Sequence, residues 1–202
     1  MTLRDRLEKA LAKGHASDLD HLLYNERDHI DDLKVLRDAA VLIAVTEREE
    51  PGVLLIHRPE GMRSHPGQIA FPGGKIDPGE NAIEAALREA NEELGILQRD
   101  VKVIGATDRF GTGSGFDVTP VLATIPPDLT LVPNPAEVSD WFEAPLRFIL
   151  DPANHVPQSA FWQGETREYL EIPWEGRRIW GITASIIANL SRRISYGAVT
   201  HD

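Results

Sequence analysis

The sequence predicts a mixed α/β protein of the α+β kind, on three observations. Residues 38–46, Asp-Ala-Ala-Val-Leu-Ile-Ala-Val-Thr, form a continuous apolar run of strand length, the pattern of a strand buried within a sheet. Residues 81–94 contain neither glycine nor proline and are rich in Ala, Glu and Leu, which predicts a helix. Strand-like runs return after it, and a helical pattern closes the chain.

Composition narrows the class. A chain of 202 residues fits one domain with some decoration and a sizeable core. A formal charge of −11 argues against a nucleic-acid backbone or an anionic membrane as the main partner. A small anion remains open, because a few local arginines and a metal can serve it. The absence of cysteine removes disulfides, zinc–thiolate sites and a cysteine nucleophile. The N-terminal stretch is charged throughout and has no apolar h-region, and no run reaches membrane-span length. A soluble, cytoplasmic protein is expected.

In chain order, Leu3, Leu7, Ala10 and Leu11 predict a short amphipathic helix, and Leu19, Leu22 and Leu23 a second one after Ser17-Asp18. Residues 1–36 are therefore expected to form a helical extension packed on a domain of residues 37–202. These helices either cap the domain or join a homodimer, and both readings stay open. Pro51-Gly52 breaks the chain between the 38–46 strand and a second strand at 53–57, so the two read as a hairpin.

The 81–94 helix is expected to end at Gly95 in a left-handed cap. Ile83, Leu87, Ala90 and Leu94 supply its apolar face. Further strands are expected at 101–108 and 117–125, joined by the flexible Gly111–Gly115 loop, with Pro120 indicating an edge or a bulge. Trp141 and Phe142 are read as core residues, and 144–150 as a short helix. Residues 158–174 read as a hairpin turning at Gly164. Ile182, Ile186 and Leu190 mark the amphipathic closing helix.

The chemistry gathers in two stretches. Glu89, Glu92 and Glu93 stand at i, i+3 and i+4 and are expected to share one helix face. Crowded carboxylates repel, and Arg88 offsets part of that repulsion; a divalent cation such as Mg²⁺, which prefers carboxylate oxygen, offsets more. Upstream, Arg58 and Arg63 lie in a Gly/Pro-rich loop, and their forked donors suit phosphate groups.

The combined spacing of Gly74, Glu80, Arg88-Glu89, Glu92-Glu93, Gly95 and Ile96 resembles the Nudix box of the Nudix hydrolases. Ala90 holds a position where a larger aliphatic residue is usual. The preceding Leu54, Leu55, Arg58, Arg63, Gly67, Phe71, Pro72, Gly73 and Gly74 resemble the upstream motif of the coenzyme A diphosphatase branch. The sequence departs from that motif at Ile56, where threonine is usual, and at Pro59, where serine or alanine is usual.

The resemblance implies a Nudix α/β/α sandwich, a mixed sheet between helices with the box loop and helix against one face. It implies a Mg²⁺ or Mn²⁺ site on Glu89, Glu92 and Glu93, with Arg88 holding the glutamates in place. Glu137 is the candidate for a further glutamate supplied by a later loop. The catalytic base falls among Glu92, Glu93 and Glu137, and Arg58, Arg63, Gly67, Phe71, Gly73 and Gly74 are the expected substrate-binding residues. The implied reaction cleaves the diphosphate of coenzyme A or its thioesters into 3′,5′-ADP and 4′-phosphopantetheine or its acyl form. A Nudix hydrolase of another nucleoside diphosphate, such as ADP-ribose, is the alternative within the family. A non-catalytic ligand-binding or regulatory module is the alternative outside enzymes.

Overall fold

The computed structural model describes residues 1–16, 22–24, 35–61, 66–162 and 165–195. Strand β1, Arg37–Thr46, lies at the centre, as its apolar run requires. On one side it meets β2, Gly52–His57, in antiparallel fashion, with Val45 opposite Val53. The two-residue β3, Ile69–Ala70, continues the sheet beyond β2, and the short β4, Gly73–Lys75, pairs with the start of β1. Helix α2, Ala82–Leu94, follows and crosses the sheet.

Strands β5, Lys102–Ala106, and β6, Phe110–Gly111, both pair with β7, Phe116–Ile125. Strand β7 runs parallel to β1 along its whole length, which makes the sheet mixed. Strand β8, Asp140–Pro145, then returns to pair with β2 and leads into the short α3, Leu146–Leu150. A second, three-stranded sheet follows: β9, Val156–Trp162, β10, Glu165–Trp174, and β11, Arg177–Trp180. Helix α4, Ile182–Arg193, closes the order that began with α1, Leu3–His15.

Two apolar clusters fill the two faces of the main sheet. Alternation along β1 sends Ala40, Leu42 and Ala44 to one face, where they meet Ala85, Ala86, Ala90 and Leu94 of α2. It sends Ala39, Ile43 and Val45 to the other, where α1, α3, α4 and the small sheet cover them. The result is the expected sandwich of helices about a mixed sheet. Burying each leucine of α2 contributes about 1.5–3 kcal/mol, which is what holds this helix to the sheet.

The N-terminal helix is part of the second cluster. Leu7 and Leu11 are buried there, and the Arg193 guanidinium bonds both the Gly14 carbonyl and the Asp108 carboxylate. A Cβ at Gly14 would collide with the Arg193 carbonyl, so glycine permits this close approach. Of the expected second helix, residues 17–21 lie outside the described residues, while Leu22 is irregular and Leu23-Tyr24 form a turn, not a helix. Residues 25–34 and the Gly164 turn of the β9–β10 hairpin also lie outside the described residues.

Four elements differ from the sequence reading. Pro120 sits in an interior strand, opposite Val41 of β1, because its other neighbour is interrupted: β5 stops at Ala106 and β6 begins at Phe110. Its missing N–H therefore costs no ladder bond there, and its carbonyl still accepts from the Thr107 N–H. Residues 140–145 form a strand, with Phe142 buried and Trp141 left 37% exposed. The helix after them starts at Leu146, two residues later than expected. Helix α4 is buried on nearly every side, covered by α1, α3 and the small sheet. Among the described residues no helix is long and apolar enough to cross a membrane.

Candidate metal and diphosphate site

Local signals fix α2 where the chemistry needs it. The Asn81 side chain accepts from the Ile83 and Glu84 N–H groups, and Glu84 accepts from the Asn81 N–H, closing a capping box. Gly95, at φ 71°, ends the helix in the left-handed conformation. Strand β4 pairs with β1 in the sheet and packs, like β1, against this helix. A Cβ on Gly73 would strike the backbone of Ala40 and Val41, and one on Gly74 would strike the Glu89 carboxylate. Both glycines are close-approach positions, and the Gly73 N–H uses that approach to donate to Glu93 Oε2 at 2.9 Å.

Arg88 organises the outer side of the helix. Its Nε donates to Glu80 Oε1 at 2.8 Å, Nη1 to Glu89 at 2.9 Å and Glu92 at 3.1 Å, and Nη2 to the Lys75 carbonyl at 2.9 Å. Glu80 also accepts from the Asp77 N–H, so the loop from Lys75 to Glu80 and the helix share one clamp. These bonds lower the Glu80 carboxyl below its ordinary range. Replacing Arg88 with alanine would leave four polar partners unserved. Turnover of the preferred substrate is expected to fall about 10–100-fold, the range for a partner that orients metal ligands. Steady-state kinetics against a melting curve would separate this from simple unfolding.

Ligand oxygens of Glu89, Glu93 and Glu137 lie within 4.8 Å of one another. Glu137 arrives from the loop between β7 and β8. That loop is pinned to the end of α2 by two bonds, Val132 N–H to the Leu94 carbonyl and Asn134 N–H to the Glu93 carbonyl. The Asn134 side chain donates to Glu137 at 3.1 Å and so aims it. Sequence reasoning passed over Asn134, although an Asn-Pro pair is a turn signal in its own right.

Electrostatics single out Glu93. It is 1% exposed, and burial pushes its carboxyl up to about 8. The Gly73 N–H and the Arg58 charge oppose that rise, while Glu89 and Glu137 add to it. Burial likewise raises Glu89, against the pull of Arg88. A divalent cation would turn this mutual repulsion into attraction, and the all-oxygen donor set suits a hard one.

The remaining expected residues divide clearly. Arg58 follows the end of β2; its charge acts on Glu93, and its Nε is buried with no hydrogen-bond partner among the described residues. Arg63 lies outside the described residues. Gly67, at φ 65°, closes the loop that Arg58 opens. Phe71, expected to touch substrate, is 3% exposed and packs in the cluster on the sheet face away from α2. Glu92, expected beside Glu89 and Glu93, stands apart from the trio: it is 49% exposed and turned to Arg88.

Comparison with known proteins bears on the family of the chain. A family model described as NUDIX domain matches residues 36–161. A relative named "Uncharacterized Nudix hydrolase NudL", from Escherichia coli K12, is 42% identical over 159 residues, 78% of this chain and 83% of its own. A protein of the same name from Enterobacter sp. (strain 638) shows the same identity and coverage. Among solved structures, a Nudix hydrolase from M. smegmatis, RenU, superposes with a TM-score of 0.49 at 24% identity, covering 63% of this chain and 81% of that one.

Proposed function

The chain belongs to the Nudix hydrolase family, and from that premise we propose that it hydrolyses the diphosphate of coenzyme A or its thioesters. The observation that carries the reading is the approach of Glu89, Glu93 and Glu137 to one another, with the charge of Arg58, whose buried Nε has no partner among the described residues, acting on Glu93. The substrate assignment draws on the spacing of Leu54, Leu55, Arg58, Arg63, Gly67 and Phe71-Pro72-Gly73-Gly74.

Glu89, Glu93 and Glu137 would hold Mg²⁺ or Mn²⁺. Such an ion, when bound, neutralises diphosphate charge and acidifies a bound water. The protein's own groups do the rest. Arg58, and Arg63 with it, grip the phosphate oxygens through fixed N–H forks. The Gly73 N–H keeps Glu93 directed at the trio, and Arg88 does the same for Glu89. Water attacks one phosphorus, the bridging P–O bond breaks, and the departing phosphate leaves as an anion. The proton of that water passes to a carboxylate oxygen of Glu93 or Glu137, since Glu92 is turned away to Arg88. The products are 3′,5′-ADP and 4′-phosphopantetheine, or its acylated form.

A panel of coenzyme A, ADP-ribose, NADH and dinucleoside polyphosphates, assayed with Mg²⁺ and with Mn²⁺, tests the assignment. Coenzyme A is expected to give the highest kcat/KM. A clear preference for another member would end the coenzyme A reading and leave diphosphate hydrolysis standing. No hydrolysis of any member, with Mn²⁺ still bound, would favour a binding module.

A further inference from the structure

Strand β2 ends at His57, and two functional loops start or finish beside it. On one side His57 pairs with Ile69 of β3, on the other with Asp140 of β8. Its Nε2 lies 2.8 Å from the Gly67 carbonyl oxygen. A carbonyl only accepts, so Nε2 carries the hydrogen and donates it. Two more contacts close the same neck: the Arg58 N–H donates to the Gln68 carbonyl at 3.0 Å, and the Glu60 carboxylate lies against the Cα of Gly67. The chain thus leaves the sheet after His57 and rejoins it at Ile69, with the two described ends of the segment, at Arg58 and Gln68, held side by side. Gly67 sits at φ 65°, a left-handed conformation that glycine adopts without the penalty a side chain would bring.

The main chain of His57 serves the other loop. Its carbonyl accepts from both the N–H and the Oγ of Ser139, each at 2.9 Å, at the end of the segment that delivers Glu137. The two loops are thus held by different parts of one residue: the arginine loop by the imidazole, the Glu137 loop by the backbone. The imidazole touches the second loop only through Nδ1, 3.4 Å from Ser139 Oγ.

We propose that His57 is a positioning residue whose imidazole clasps the neck of the arginine loop and so presets Arg58 for the substrate diphosphate. The proposal rests on the reading of Arg58 as a phosphate-gripping residue. A loop ordered before binding loses less freedom on binding, so the clasp acts on substrate affinity. The metal trio stands on α2 and on the 134–138 loop, whose end is held at Ser139 by the shorter bonds to the His57 carbonyl, which a change of side chain leaves in place.

The test uses whichever diphosphate the wild-type protein hydrolyses best. In His57→Ala, KM is expected to rise about tenfold, the worth of one well-formed hydrogen bond, with kcat within about threefold of wild type. Mn²⁺ affinity, measured by calorimetry without substrate, is expected to stay unchanged. His57→Gln retains a donor toward Gly67 and should restore most of KM. Unchanged KM in His57→Ala would overturn the proposal, as would a parallel fall in kcat and Mn²⁺ affinity, or a failure of glutamine to rescue. If His57→Ala melts too low to assay, His57→Phe, which fills the space of the ring without a donor, should give the same split, and a normal KM there would overturn it. A wild-type protein that cleaves no diphosphate overturns the proposed function, and this role with it.

Discussion

Glu93→Gln is expected to reduce turnover by more than about 100-fold, beyond the loss typical of a residue that only orients a ligand. The substitution is nearly isosteric. Glutamine can still accept the Gly73 N–H that Glu93 Oε2 now accepts, so the β4–α2 contact is retained. What disappears is one negative charge among the three carboxylates within 4.8 Å. Mn²⁺ affinity should fall with activity, as titration calorimetry would show. Glu92→Gln is the internal control. Its carboxylate is turned to Arg88, half exposed and outside the trio, so a loss within about tenfold is expected, the scale of one ordinary hydrogen bond. Near-normal activity in Glu93→Gln, or a larger loss in Glu92→Gln, would move the metal site to other residues.

The difference between Glu92 and Glu93 was present in the sequence, though not in the spacing of the glutamates alone. At about 100° per residue, Glu92 and Glu93 fall on opposite sides of Glu89 around the helix. Ile83, Leu87, Ala90 and Leu94 all lie on the Glu93 side, so the apolar stripe already turned Glu93 toward the sheet and Glu92 away. The helix itself was legible for local reasons: its cap residues, Asn81 and Gly95, sit within a residue of its ends.

Strand β8 was harder to see. Its Asp140–Pro145 segment alternates for only a few residues, and its partner β2 lies more than 80 positions earlier, so the pairing that defines it has no local trace. Pro120 failed as an edge marker for a similar reason. Whether its missing N–H is tolerated depends on where β5 and β6 break, a property of the neighbour and not of β7. The position of Phe71 was hidden in the same way: it packs in the cluster on the sheet face away from α2, a placement set by distant elements and not by the spacing of its neighbours in the chain.

The same Glu93→Gln change should act on stability in the opposite sense once metal is removed by chelator. The Glu93 carboxyl titrates near 4.5 when unperturbed and at about 8 in the folded protein, chiefly because it is buried. Below the lower value both states hold the proton, and the group is neutral toward folding. Between the two values the folded state keeps the proton that the unfolded state has released. The unfolded state then binds fewer protons, and stability falls as pH rises through this window, levelling off above about 8. Glutamine has no such penalty. In chelator at pH 8, Glu93→Gln should therefore be more stable than wild type by roughly 2–4 kcal/mol. Each pH unit of that window is worth about 1.4 kcal/mol, and relaxation of the site returns part of the total. For a chain of this size the gain raises the melting temperature by on the order of 5–10 °C. At pH 4.5 the two melting curves should coincide. Saturating Mn²⁺ should reverse the order, because an ion held by the native wild type stabilises it by mass action. A chelated variant that melts no higher than wild type at pH 8 would mean that this carboxylate bears no unrelieved charge, and would remove the electrostatic reason for a cation there.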